Sequence, residues 1–320
     1  LEVSMKKNIV KIVGFLMVLA MVMLKLNDVV AFKYTDGVTQ MEQFYEQEEG
    51  TVDVLVLGSS HAFVDVNPKF LYEEYGIAAY NLCGSMQPMW NTYYYMKEAL
   101  AYQSPKLIVL DVYRLVEAFP YSKESKIVKN TYGMRLSKNK YDSIKASLSE
   151  EDKGDLLLHM VEFPSYHGRY VDLTAEDFDR SLVVDETYKG AHPVTEVAPM
   201  ERPEVSHVVD TMEIEPKTME YFEKILTLAR ENEIPVLLIN APYIVQEDDK
   251  KIFNRLEEYL ASQTVYEDVS YVDFNRLYDE MEIDFSKDFA DYNHLNVNGL
   301  DKFNRALGLR IKEAYELPDR

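Results

Sequence analysis

The stretch VLVLGSSHAFVDVNP, residues 54–68, decides how this chain is read. Val54 to Leu57 is a short aliphatic, β-branched run, the composition of a strand buried on both faces. Gly58 then permits a sharp turn that other residues resist. Two serines and a histidine follow before Asn67-Pro68 opens a helix, with Pro suited to the first helical position. A small hydroxyl residue between a strand and a helix is either a cap or a nucleophile, and the rest of the chain has to choose.

Four further runs share the strand-like composition: AAYNLCG (78–84), KLIVLDV (106–112), IPVLLIN (234–240) and SYVDF (270–274). Helical stretches alternate with them, as in FLYEEYG (70–76), NTYYYMKEALAY (91–102), KTMEYFEKILTLARENE (217–233), KKIFNRLEEYLASQ (250–263) and NGLDKFNRALGLRIKEAY (298–315). Near-continuous apolar strands alternating with helices predict an α/β fold, a three-layer α/β/α sandwich around a mainly parallel five-stranded sheet. The rhythm breaks at about 120–215. That segment is polar, carries three spaced prolines in KGAHPVTEVAPMERPEVSH (189–207), and predicts an insertion, helical in part and an irregular flap in part.

Lys and Arg total 34 against 55 Asp and Glu, a formal net charge of −21 in 320 residues. Nucleic acid as a general partner is thereby excluded, because such binding draws its affinity from cations that neutralise phosphates. The single cysteine, Cys83, rules out an intrachain disulfide and a cysteine-based zinc site. No HExxH, phosphate-cradling glycine loop or calcium loop is present, so no cofactor and no metal is expected.

At the N-terminus, MKKNIVKIVGFLMVLAMVMLK (5–25) has a basic start and thirteen uninterrupted apolar or glycine residues, Ile12 to Leu24. The first four residues, ahead of Met5, are set aside as upstream of a start. The apolar length stands between a signal-peptide core and a short membrane span, with VVA at 29–31 as a small-residue cleavage site. The expectation is a single-pass anchor in the cell membrane. Lys6, Lys7 and Lys11 keep the N-terminus cytoplasmic and the body outside; cleavage would instead yield a secreted protein. The expected division is residues 1–33 as stub and anchor, 34–51 as a linker with a short helix, and 52–320 as the catalytic or binding domain.

In a doubly wound sheet, ligands bind outside the carboxyl ends of the strands, where Ser59 and Ser60 would stand. A nucleophilic serine needs a base. His294, in DYNHLN just before the last helix, follows Asp291 by three residues, and this spacing puts both side chains on one side of a loop. The chain order is then Ser, Asp, His, with the carboxylate orienting the imidazole and the imidazole facing a serine.

VLGSSH, YNLCG and DYNHLN together resemble blocks one, two and five of the SGNH/GDSL hydrolases. They are most similar to a membrane-anchored branch that includes teichoic-acid D-alanylation and alginate O-acetylation proteins. The resemblance covers most of 52–310, with the insertion poorly matched, and implies the flavodoxin-like form of the α/β/α sandwich. It implies Ser60 as nucleophile, Asp291 as orienting acid and His294 as base. Gly84 would give an oxyanion-hole N–H beside that of Ser60. The family's third block normally brings an Asn after the third strand. Here that place reads LDVYRLVE, which leaves Asn81, Tyr113 or Arg114 to supply the missing donor. His61, Tyr113, Arg114, His167 and Arg169 are the candidate substrate contacts, the last pair reaching over from the insertion.

The implied function is a cell-surface serine esterase or O-acyltransferase acting on acylated cell-envelope glycan or teichoic acid, with a multi-pass membrane O-acyltransferase as a possible partner. Two competitors stand beside it. One is a non-catalytic protein of the same fold that docks to such an acyltransferase. The other is a flavodoxin-like domain holding a phosphate at the helix start after Gly58.

Overall fold

The computed structural model describes residues 2–33, 35–116, 119–161, 163–204, 213–262 and 268–318. Its centre is a sheet of β1 (Val54–Leu57), β2 (Ala79–Asn81), β3 (Leu107–Asp111), β4 (Val236–Asn240) and β5 (Val269–Asp273). The strand order is β2-β1-β3-β4-β5 and every pairing is parallel. Each strand lies within one of the five runs predicted above or overlaps it closely.

The helices are α1 (Glu2–Val30), α2 (Val38–Phe44), α3 (Ser60–Asp65), α4 (Pro68–Tyr75), α5 (Met89–Ala99), α6 (Glu124–Thr131), α7 (Lys138–Ser147), α8 (Phe163–Tyr166), α9 (Pro216–Glu231), α10 (Glu247–Ser262) and α11 (Val297–Ala314). Side chains alternate across a pleated strand, so both faces of each central strand must find cover. Leu55, Leu57, Ile108, Leu110, Val236 and Leu238 face one core, against α2, α5, α9 and α10. Val54, Val56, Leu107, Val109, Leu237 and Ile239 face the other, against α3, α4 and α11. This is the helix–sheet–helix layering that the alternation of runs predicts.

Local signals explain the helix that follows the site. Asn67 caps α4 by accepting from Lys69 N–H at 3.1 Å, Pro68 opens it, and Gly76 ends it at φ +65°.

The linker expected at 34–51 does hold its short helix, α2, and that helix packs on the domain. Val38, Met41 and Phe44 of α2 are buried, the last two completely, and Phe44 meets Tyr80 edge-on at 5.2 Å. Its period-3.6 apolar positions sit within a polar composition, and that composition prompted the linker reading.

The insertion divides in two. Its α6 and α7 pack on the sheet domain: Trp90 Nε1 donates to Ser147 Oγ at 3.0 Å, and Asn91 Nδ2 to Ser143 Oγ at 2.7 Å. Beyond them the chain runs through α8, single 3₁₀ turns and an extended stretch to 204. The end of the proline-spaced flap, 205–212, lies outside the described residues.

The helix α1 contains a 26-residue segment, Met5–Val30, with an 18-residue window of mean hydropathy 2.4. It is long and apolar enough to span a membrane, and a signal sequence has the same character.

Candidate active site

Because all five strands are parallel, their carboxyl ends lie on one side, and the loops after β2, β1 and β3 meet there. The order β2-β1-β3 makes the gap between β1 and β3 the point where the chain's winding reverses, the usual ligand crevice of such sheets. A cavity of about 680 Å³ lies at this place, lined by Ser59, Ser60 and His61 after β1, Ser85 and Met86 after β2, and Tyr113 and Arg114 after β3. Asn293 and His294 complete it from the loop before α11.

The turn out of β1 requires glycine. Gly58 has φ +151°, and a Cβ there would stand 2.9 Å from Asp111 Cβ and 3.0 Å from Ala62 Cβ. Ser59 then stands before α3 in an extended conformation without a side-chain cap, and Ser60 is the first residue of the helix. Ser60 is partly exposed to the cavity, while Ser59 Oγ is buried and has no hydrogen-bond partner.

The His294 loop is built by its own polar groups. Asp291 Oδ1 accepts from Asn293 N–H at 2.7 Å, and Ala290 N–H donates to the His294 carbonyl at 2.9 Å. Both oxygens of Asp291 lie 3.0 Å from His294 Nδ1. Burial by itself would raise the Asp291 pKa; the bond and charge of His294, with the N–H groups of Asn293 and His294, outweigh it and hold the carboxyl below its ordinary value. The other ring nitrogen, Nε2, is buried, has no hydrogen-bond partner, and belongs to a side chain that lines the same cavity as Ser60. Ser60 Oγ and His294 Nε2 share no hydrogen bond; in ligand-free sites such bonds are often long and tighten only with substrate.

The structure thus gathers Ser60, Asp291, His294, His61, Tyr113 and Arg114 at one place. His61 is fully buried, stacked on Tyr113 with ring centroids 3.5 Å apart, and its centroid is 5.5 Å from that of His294. Burial, then the charges of His294 and Arg114, push its pKa well below the usual imidazole value, which favours a neutral ring beside that of His294. Tyr113 Oη lies 3.4 Å from Asn293 Oδ1 and steadies the same loop.

Other predicted residues lie elsewhere. Asn81 donates its amide to the Ala62 and Val66 carbonyls at 2.7 and 2.9 Å, capping the end of α3, so both donor hydrogens are spent away from the cavity. Gly84 is one residue behind the cavity wall. A Cβ there would stand 2.3 Å from Asn130 Oδ1 and 3.2 Å from Gly37 Cα, so close packing requires its lack of a side chain. His167 and Arg169 do not reach over Ser60. Arg169 pairs with Asp177 at 2.8 Å, donates to the Val30 and Ala31 carbonyls, and covers the Phe32 ring, a clasp on the end of α1. His167 Nδ1 meets the Pro164 carbonyl at 3.0 Å.

In their place the fold brings residues that no local pattern marks. Lys33 and Asp36 from the segment after α1, Lys126 and Lys129 from α6, and His192 from the extended stretch all line the cavity. Asp36 pairs with Lys129, and its carbonyl accepts from Ser85 N–H at 2.7 Å, while Lys126 Nζ donates to Ser85 Oγ at 3.0 Å. The spacing of Lys126 and Lys129, three apart on one helix, is visible in sequence; their approach to Ser60 is not. Among the described residues no three His, Cys, Asp or Glu side chains gather as a metal-ligand set.

No family model matches the chain, and no curated protein matches it.

Proposed function

We propose that this protein is a serine esterase or O-acyltransferase of the SGNH/GDSL type, with the flavodoxin-like form of the α/β/α sandwich. In this reading α1 holds it to the cell membrane, and the site works outside the cytoplasm on acyl esters of envelope glycan or teichoic acid. The observation that carries the reading is the Asp291–His294 pair, whose unpartnered Nε2 shares a cavity with Ser60. The sheet order 2-1-3-4-5 and the position of Ser60 at the winding reversal support it.

Ser60 Oγ attacks the ester carbonyl and passes its proton to His294 Nε2. Asp291 fixes the ring so that Nδ1 carries hydrogen toward the carboxylate. The developing oxyanion meets the N–H groups at the start of α3, where the first turn of a helix leaves donors without intrahelical acceptors. Arg114, at the cavity wall, adds positive charge where the family pattern has Asn. His294 gives that proton to the departing alcohol as the intermediate collapses to the acyl-enzyme. Water or an acceptor hydroxyl then attacks the acyl carbon and passes its own proton to His294, which protonates Oγ as the Ser60 ester bond breaks.

The test is fluorophosphonate labelling of the full chain in detergent. Ser60→Ala should abolish labelling, and His294→Ala should slow it by several orders of magnitude, because triad members act as a unit. Equal labelling of wild type and His294→Ala would end the reading. Absence of labelling in folded wild type would favour the docking protein, the alternative that the missing third-block Asn supports.

A further inference from the structure

A second cavity, about 480 Å³, opens beside the first and shares Met86, Arg114 and Lys126 with it. Its far side is formed by Phe119 and Tyr121, which are 56% and 42% exposed although both are large and apolar in body. The segment that carries them is tied down. Lys217 Nζ donates to the Pro120 carbonyl at 2.7 Å, lies 4.2 Å from the Trp90 ring and 4.7 Å from the Tyr121 ring, and Ser122 N–H donates to the Ser147 carbonyl at 2.9 Å. The backbone on both sides of Tyr121 is therefore fixed to α7 and α9, and the Tyr121 ring is held under Lys217.

The chemistry of the lining selects an occupant. No Leu, Ile or Val is among the described lining residues, which is unlike a slot for an aliphatic chain; the apolar surface is aromatic, prolyl and one methionine. Open aromatic faces suit the C–H face of a pyranose, leaving its hydroxyls to water and to polar neighbours. Three cations, Arg114, Lys123 and Lys126, line the groove, and no carboxylate does so among the described lining residues, in a chain of net charge −21. A local positive field in an acidic protein draws an anionic ligand.

We infer that this annex is a subsite for a negatively charged saccharide unit of the acceptor or donor polymer, seated on Phe119 and Tyr121 beside the Ser60 cavity. The inference rests on the reading of Ser60 as an acyl-transfer nucleophile, to which it adds the place of the polymer.

Trp90, the only tryptophan in the chain, lines this annex and does not line the Ser60 cavity. Its fluorescence would be titrated in the full chain carrying Ser60→Ala, with tetragalacturonate, chitotetraose and octanoate as probes. Tetragalacturonate should give a saturable change that weakens in high salt, and chitotetraose a weaker one. Phe119→Ala with Tyr121→Ala should lower affinity by about tenfold or more, and Tyr121→Phe should retain it. No saturable signal with either oligosaccharide, unchanged affinity in the double variant, or saturation by octanoate alone would overturn the proposal. Because binding is read without turnover, saccharide binding in a protein whose Ser60 is never labelled would sink the catalytic reading and leave the annex standing.

Discussion

The Asp65 carboxylate accepts the Leu295 backbone N–H at 2.9 Å, so the helix that begins with Ser60 is tied to the loop that carries His294. The bond is fully buried, and the Asp65 carbonyl also accepts from Asn304 Nδ2 of α11 at 2.7 Å. Burial, countered by the Leu295 bond and reinforced by the charges of Asp111 and Asp291, raises the Asp65 pKa well above its ordinary value. A neutral side chain with the same acceptor should therefore serve nearly as well.

Asp65→Asn is expected to fold and label like wild type. Asp65→Ala leaves the Leu295 N–H buried without an acceptor and should cost about 1–3 kcal/mol. If His294 serves Ser60, its loosened loop should slow labelling by about a hundredfold. Amide exchange at Leu295, faster in the alanine variant alone, separates the positional effect from general instability.

Phe44 tests whether the segment after α1 is part of the fold. A linker residue would tolerate truncation, whereas a fully buried ring packed on Tyr80 should cost about 3–5 kcal/mol as Phe44→Ala. Urea denaturation of the variant and of wild type decides this, with a shift under 0.5 kcal/mol counting against the integrated stem.

Gly58→Ala places a methyl group against Asp111 and Ala62 at a backbone angle that side chains rarely adopt. The expected loss is about 1–3 kcal/mol, together with displacement of Ser60. A variant as stable as wild type, seen by thermal melting, would show that the turn tolerates a side chain.

Asp111 gives a pH dependence of definite sign. Burial, against the opposing bonds from the Ala241 and Tyr113 N–H groups, raises its pKa to about 7. A raised carboxyl contributes stability fully below its unfolded pKa of about 3.9 and loses it as pH rises through the folded value. Asp111→Asn does not titrate and turns an NH2 donor toward one of the two N–H groups, where the acid keeps an oxygen lone pair, so it should be less stable at pH 5. Its melting temperature should trail wild type by more at pH 5 than at pH 8. A gap that is constant or widens with pH would contradict the assignment.

Much of the sheet was legible because a strand covered on both faces must be apolar at every position, as in Val54–Leu57 and Leu107–Leu110. The Asp291–His294 pair was legible because three residues suffice to make its turn. The polar stem was misread because α2 buries only part of its surface, and its apolar residues are too few to outweigh the surrounding glutamines and glutamates. Arg169 was misplaced for another reason: a long cation can reach carboxylates or carbonyls in many directions, and only the packed chain shows that it clasps the end of α1.

By itself, then, the sequence determined the strands, the glycine turn at 58, the nearby pair of Asp291 and His294, and the acidic balance of the surface. These follow from local sterics, from period-two and period-3.6 burial, and from counting charges. Tertiary structure decided that Ser60 and His294 share a cavity although 234 positions separate them in the numbering. It also decided that lysines from the stem and the insertion gather around an otherwise acidic protein's one winding reversal. Such approaches depend on how helices pack over the sheet, and no run of neighbouring residues encodes that distance.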